Sequence, residues 1–147
     1  MAPLGGHVDT GMADNRESVQ PEELRDPLTR EIIGAAIEVH RLLGPGLLES
    51  TYEDCLSFEL GDRGLLFERQ VALPMRYKSL LIRRAYKLDL LVENAVVVEL
   101  KTIEKILAVH DAQVRTYLKL SGFKCGLLFN FNSVPLKAGI RRYAARQ

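Results

Sequence analysis

Three ionisable residues, Asp89, Glu99 and Lys101, interrupt stretches of sequence that are otherwise rich in leucine and valine. Such stretches are typical of buried strands, and a buried charge is costly unless a partner or a metal ion compensates it. A structural ion pair at the end of a sheet would satisfy these residues. Two carboxylates with open positions would instead suit Mg²⁺ or Mn²⁺, which prefer hard oxygen ligands. The residue types alone leave both interpretations open.

The register of two strands decides whether the carboxylates can meet. Side chains alternate along a strand, so Glu99 and Lys101 point to the same face. If residues 93–95 form a three-residue loop, Asp89 lies opposite Glu99 on that face, whereas a two-residue loop would separate the two carboxylates. A catalytic function therefore predicts the three-residue loop or an equivalent bulge. A divalent ion held there could activate water for phosphodiester hydrolysis, and Lys101 could orient that water.

Hydrophobic periodicity predicts the elements that must position these residues. Asp26 and Pro27 suit the N-cap and first position of a helix. The order of elements is roughly ααβββαβα, an α/β pattern. It comprises helices over residues 28–43 and 47–63, a strand over 66–73, an extended stretch and turn over 75–82, strands over 86–92 and 96–100, a helix over 103–120, a strand over 125–131 and a terminal helix over 135–145.

The length and composition indicate one globular domain with an appendage. Of the 147 residues, 47% are hydrophobic and 27% charged. Residues 1–26 contain six acidic side chains and two arginines, and we expect them to form a flexible acidic leader before a mildly basic domain over 27–147. Such a charge balance is compatible with a polyanionic partner. No stretch is apolar enough to span a membrane, and two cysteines cannot form a disulfide framework, so we expect a cytoplasmic protein.

Several motifs resemble those of one nuclease superfamily. Asp89 together with the segment Glu99-Leu100-Lys101 resembles the D…(D/E)xK signature of the PD-(D/E)XK nucleases. The segment 46–52, GLLESTY, resembles the GxxExxY motif that names one family within that superfamily, and the segment 126–132, GLLFNFN, is also similar to that family. The resemblance extends over residues 28–143. It implies a restriction-endonuclease-like core, with a mixed β-sheet flanked by helices.

The resemblance also implies roles for individual residues. Asp89 and Glu99 would be metal ligands for Mg²⁺ or Mn²⁺, with the carbonyl of Leu100 as a third. Lys101 would position or activate the water, and Glu49 would assist metal binding and catalysis. Gln113 and Tyr117 resemble the QxxxY element of RecB-like members, in which these residues lie beside the site. Gln113 would take part in catalysis, and Tyr117 would contact the nucleic acid.

Some of these residues also have simpler explanations. Glu49 would complement the helix dipole in the first turn of a helix, and Tyr52 could be a core aromatic residue with a satisfied hydroxyl. Arg141 and Arg142 could contact phosphate, although a solvated helix face is at least as common for such residues. The acidic leader could fold over the basic site and restrain it, or it could simply be disordered.

The sequence therefore supports a metal-dependent nuclease that acts on DNA, or less readily on RNA. The alternative is a nuclease-fold module that binds nucleic acid or a protein without catalysis. A chain of 147 residues leaves little room for a separate sequence-reading domain. Sequence-specific cleavage would therefore need a homodimer or another partner.

Overall fold

The structure is a computed structural model that describes residues 26–145. Apart from Asp26, the predicted leader lies outside these residues, as do residues 146–147 of the predicted domain. The described elements, in chain order, are α1 (Pro27–Leu43), α2 (Glu49–Asp62), β1 (Phe67–Tyr77), β2 (Leu80–Val92), β3 (Val96–Lys101), α3 (Ala108–Ser121), β4 (Cys125–Asn130), a 3₁₀ turn (Leu136–Gly139) and β5 (Ile140–Ala144). Within residues 26–145, no helix is both long and apolar enough to cross a membrane.

The start of α1 follows the capping signal in the sequence. Asp26 has an extended backbone, and its side chain accepts a hydrogen bond from the Leu28 amide at 3.1 Å. Pro27 occupies the first helical position, where its missing N–H leaves no donor unsatisfied. The predicted start of this helix is therefore confirmed.

The five strands form one mixed sheet in the order β1-β2-β3-β4-β5, which confirms the predicted α/β class. Only β3 and β4 are parallel, and α3 makes the crossover between them, while the other neighbours are antiparallel. Helices α1 and α2 cover one face of the sheet through a core cluster that includes Ile32, Leu56 and Phe129. Helix α3 covers the other face through a cluster that includes Val97 and Val114. Because both faces are covered, β3 and β4 are buried almost throughout.

Strands β1 and β2 are longer than the sequence predicted. Pro74 was expected to end the first strand, but β1 continues to Tyr77, and a turn at residues 78–79 leads into β2. The register shifts around Pro74, since Leu73 pairs with Tyr86 but Met75 pairs with Ile82. Proline has no N–H to donate to the sheet, and an edge strand with a bulge accommodates it.

The predicted terminal helix over residues 135–145 is wrong. The segment instead forms the 3₁₀ turn and then β5, which pairs antiparallel with β4. Its buried residues Leu136, Ile140 and Tyr143 are spaced like one face of a helix, which explains the prediction. The open edge of β4 decides the outcome, because pairing there satisfies backbone groups that would otherwise be left unpaired.

Candidate active site

Asp89 and Glu99 lie opposite each other on neighbouring strands. Val92 pairs with Val96 across residues 93–95, which confirms the predicted three-residue loop and its register. The Asp89 amide donates a hydrogen bond to Glu99 Oε2 at 3.1 Å, and the Leu100 amide donates one to Asp89 Oδ2 at 2.8 Å. Each carboxylate is therefore tied to the backbone of the other strand, which fixes both side chains.

Burial perturbs the ionisation of both carboxyl groups. Glu99 is only 3% exposed, and burial together with the adjacent Asp89 charge raises the pKa of Glu99 to about 8. Burial also raises the pKa of Asp89, although the hydrogen bond from the Leu100 amide opposes that shift. The charge of Lys101 lowers both pKa values by a smaller amount. The buried carboxyl group of Glu99 and the half-buried one of Asp89 thus lie together, and both hold a proton more readily than they would in water.

Lys101 connects the sheet to α3. Its Nζ donates a hydrogen bond to Gln113 Oε1 at 3.0 Å, and Gln113 Nε2 donates one to the Tyr117 hydroxyl at 2.9 Å. The Tyr117 ring stacks on Tyr86 of β2, with 5.0 Å between ring centroids. Together with Ala85, these residues line an open groove of about 570 Å³. The structure therefore brings Gln113 and Tyr117 to Lys101.

Strands β1 and β2 change orientation at Gln70 and Asp89. Leu88 packs in the cluster beneath α3, but Leu90, two residues later, packs in the cluster beneath α1 and α2. Gln70 has a φ of +52°, which is uncommon for a residue with a side chain. Asp89 therefore lies at the point where β2 turns its side chains from one core cluster to the other.

Sequence reasoning missed Glu53 and Gln70, which approach Asp89 from the α2 side. Glu53 is 7% exposed, and its carboxylate accepts hydrogen bonds from Gln70 Nε2 at 2.7 Å and from Arg69 Nε at 3.0 Å. Gln70 Nε2 also donates to Asp89 Oδ1 at 3.4 Å. Glu53 could have been found from its position in the helix. It lies directly after the buried Tyr52, on the side of the helix that faces the core.

Glu49 lies in the first turn of α2, four residues before Glu53 and therefore on the same side of the helix. Partial burial raises the pKa of Glu49, Asp89 raises it further, and Lys101 lowers it. These effects place Glu49 within electrostatic range of both residues. Its side chain is more exposed than that of Glu53.

The glycine and tyrosine of the GxxExxY-like segment hold the loop before α2. The Tyr52 hydroxyl donates a hydrogen bond to the Gly44 carbonyl at 2.5 Å and accepts one from the Leu47 amide at 3.2 Å. The Gly46 amide, at a φ of +103°, donates to Asn132 Oδ1 at 3.1 Å. Tyr52 is fully buried, with its ring stacked on Phe131, which confirms the expectation of a core aromatic residue.

The acidic residues of the site supply some, but not all, of the oxygen ligands that a hard divalent cation needs. Asp89 and Glu99 supply two converging carboxylates, and Glu49 adds negative charge nearby. Among residues 26–145, however, no group of three or more His, Cys, Asp or Glu side chains is arranged to hold a metal ion. A metal here would therefore need oxygen atoms from the backbone, water or substrate.

Arg141 and Arg142 lie on β5, and both guanidinium groups have partners within the fold. Arg141 Nη1 donates to both carboxylate oxygens of Asp111 at 3.0 Å, and the Tyr143 hydroxyl donates to the same carboxylate. Arg142 Nη1 donates to the Thr29 hydroxyl at 3.0 Å. The structure therefore does not bring these two arginines into contact with Asp89, Glu99 or Lys101.

Comparison with known proteins gives one match. The family model described as the PD-(D/E)XK nuclease superfamily matches residues 26–143, which is most of the chain and contains the whole site. Neither the curated proteins nor the solved structures contain a significant match. The matched region has the mixed sheet flanked by helices that the superfamily resemblance implied. On the basis of this match, the chain belongs to the PD-(D/E)XK nuclease superfamily.

Proposed function

We propose that this chain is a metal-dependent nuclease of the GxxExxY family that hydrolyses phosphodiester bonds of DNA. The observation that carries the proposal is the convergence of Asp89 and Glu99 at a point flanked by Lys101, whose side chain Gln113 holds. The presence of every residue of the D…(D/E)xK signature in the sequence also supports the proposal. Burial raises the pKa of both Asp89 and Glu99, and perturbed carboxyl groups cluster at catalytic sites, which favours catalysis over binding alone.

Asp89 and Glu99 would hold Mg²⁺ or Mn²⁺, with the carbonyl of Leu100 as a further oxygen donor and Glu49 as an acidic residue that assists. When bound, the ion would lower the pKa of water and neutralise charge that develops on the phosphate. The two backbone hydrogen bonds to these carboxylates restrict their rotation, so little side-chain entropy would be lost on binding.

Lys101 would orient the attacking water and stabilise the charge that develops on the phosphate. An ammonium group has three N–H donors, and one of them is directed to Gln113 Oε1. Gln113 is a positioning residue in this proposal, because it acts through Lys101. Gln70 is also a positioning residue, since its side-chain amide donates a hydrogen bond to Asp89, and Glu53 acts through Gln70 by accepting a hydrogen bond from the same amide.

Cleavage assays on single- and double-stranded DNA and RNA, with Mg²⁺, Mn²⁺ or EDTA, test the proposal. The full chain is compared with Lys101→Ala and with Lys119→Ala, which removes an exposed lysine elsewhere on α3. We expect cleavage of DNA that needs the metal, survives Lys119→Ala, and falls by roughly 10²-fold or more in Lys101→Ala.

Two outcomes would overturn the proposal. Equal cleavage by the parent and by Lys101→Ala would point to a contaminating nuclease. No cleavage by any of the proteins, with binding of nucleic acid retained, would favour the noncatalytic binding module instead.

A further inference from the structure

The segment between Glu68 and Asp89 carries a concentrated positive charge. It contains six basic residues and no acidic ones, out of 20 basic residues in the whole chain. They are Arg69, Arg76, Lys78, Arg83, Arg84 and Lys87. This segment forms most of β1 and β2, so the charge belongs to one hairpin rather than to scattered surface positions.

The outer part of this hairpin is a two-stranded ribbon. Strand β2 pairs with β3 only at residues 90–92, whereas its pairing with β1 continues to Leu80. From Asp89 to Leu80 the strand extends by about 30 Å at the usual rise per residue. We define residues 75–84 as the ribbon tip. Within the described residues, its two strands pair only with each other.

The charges of the ribbon tip are exposed, and within residues 26–145 they lack acidic partners. Arg76, Arg83 and Arg84 are all exposed, and none is within ion-pair distance of an acidic side chain in residues 26–145. Arg69, at the base of the hairpin, differs because it pairs with Glu53 and Asp54. Tyr77 and Leu80 face each other across the end of the tip, and more than half of each side chain is exposed.

The ribbon tip is continuous with the groove of the candidate site. Arg83, Arg84 and Ala85 form the bulge on β2, opposite Pro74. Ala85 and the next residue, Tyr86, line the groove that also contains Lys101. A polyanion bound at Arg83 and Arg84 would therefore lie next to the groove that contains Lys101.

We propose that the ribbon tip binds duplex DNA, with Arg76, Arg83 and Arg84 contacting phosphates while the two strands enter the major groove. This inference rests on the proposed nuclease function and names the form of its substrate. The major groove of B-form DNA admits a two-stranded β-ribbon, whereas that of A-form RNA is too deep and narrow for side chains to read. The ribbon thus selects DNA duplexes over RNA duplexes.

Binding in EDTA tests the inference separately from cleavage. Fluorescence anisotropy would measure the affinity of the full chain for a labelled DNA duplex and for the matching RNA duplex. The test variant is Arg76→Gln/Arg83→Gln/Arg84→Gln, and a second variant places lysine at the same three positions. The matched control, Lys119→Gln/Lys124→Gln/Lys137→Gln, removes equal charge from three exposed lysines outside the hairpin.

We expect the hairpin glutamine variant to bind duplex DNA about tenfold or more weakly at moderate salt. The slope of log affinity against log salt should fall by about 0.9 for each phosphate that is no longer neutralised, or about 2.7 for three. The lysine variant should recover most of the affinity, and the control should retain it. The parent should prefer the DNA duplex to the RNA duplex.

Equal affinity of the hairpin variant and the parent would overturn the inference, as would an equal loss of affinity in the control or a preference for the RNA duplex. The measurements of cleavage and of binding distinguish a failure of the proposed function from a failure of this inference. DNA binding that depends on the hairpin, without any metal-dependent cleavage, would support the inference and remove the proposed function. Metal-dependent cleavage that persists in the hairpin variant, with unchanged binding of DNA, would support the proposed function and overturn the inference.

Discussion

Lys101 at the end of β3 donates a hydrogen bond of 3.0 Å to the side chain of Gln113 on α3. Lys101 ends β3, and Gln113 lies on α3, the helix that makes the crossover from β3 to the parallel strand β4. The position of the proposed catalytic lysine therefore depends on how α3 packs on the sheet. This dependence makes the role of Gln113 testable without altering Lys101.

Gln113→Ala should lower the rate of cleavage about tenfold, because an unrestrained lysine spends less time in its productive position. Single-turnover cleavage at saturating Mn²⁺ would measure this, and the affinity for Mn²⁺ should stay within about twofold of the parent. Tyr117→Phe is the matched control. It removes the hydroxyl that Gln113 contacts but keeps the ring that stacks on Tyr86, so its effect should be smaller. A larger loss of cleavage rate in Tyr117→Phe than in Gln113→Ala would contradict the proposed role of Gln113.

Glu99→Gln should abolish metal binding and yet stabilise the metal-free protein. The amide oxygen can still accept the hydrogen bond from Asp89 N. Because the pKa of Glu99 is raised to about 8 on folding, folding at neutral pH costs the energy of protonating this acid, and the substitution removes that cost. We expect the free energy of unfolding in EDTA at neutral pH to rise by about 1–2 kcal/mol. Chemical denaturation and Mn²⁺ titration would measure the two effects.

Glu53→Gln should have the opposite effect on stability. Glu53 is also buried, but it pairs with Arg69 at 3.0 Å, and the substitution removes its charge from that pair. Unfolding in EDTA should become easier by about 1–2 kcal/mol. A change of the same sign in both glutamine variants would show that the two carboxylates do not differ in the way the structure indicates.

Tyr52→Phe should weaken the loop before α2 and leave the chemistry largely intact. The substitution keeps the ring stacked on Phe131 but removes the hydroxyl that joins Gly44 to Leu47. The free energy of unfolding should fall by about 1–2 kcal/mol, since two backbone groups lose a partner. Cleavage under folded conditions should stay within about threefold of the parent; a loss as large as that of Lys101→Ala would instead make Tyr52 a catalytic residue.

Gly126→Ala should disturb the site from a distance. A Cβ at Gly126 on β4 would lie 2.9 Å from Val114 Cγ1 of α3, which is closer than packed carbons approach. The helix or the strand must shift, at a cost of about 1–3 kcal/mol. Because Gln113 precedes Val114, cleavage should fall as well. Thermal unfolding together with the single-turnover rate would check both effects, and an unchanged rate would separate helix packing from catalysis.

Much of the site was determined by local sequence rules. The loop over residues 93–95 fixed the register of β2 and β3, and strand alternation then placed Glu99 and Lys101 on one face. Asp26 and Pro27 likewise fixed the start of α1. Gln113 and Tyr117 share a helix face because they are four residues apart. In each case the information lies within a few neighbouring residues.

Other features depended on contacts between distant segments. The buried residues of segment 135–145 have helical spacing, but the free edge of β4 pairs with that segment and makes it a strand. Gln70 joins Glu53 of α2 to Asp89 of β2, and these three residues come from separate segments of the chain. The partners of Arg141 and Arg142 lie 30 and 113 residues away in the chain. Periodicity describes which side of an element is buried, whereas only tertiary packing decides which element it meets.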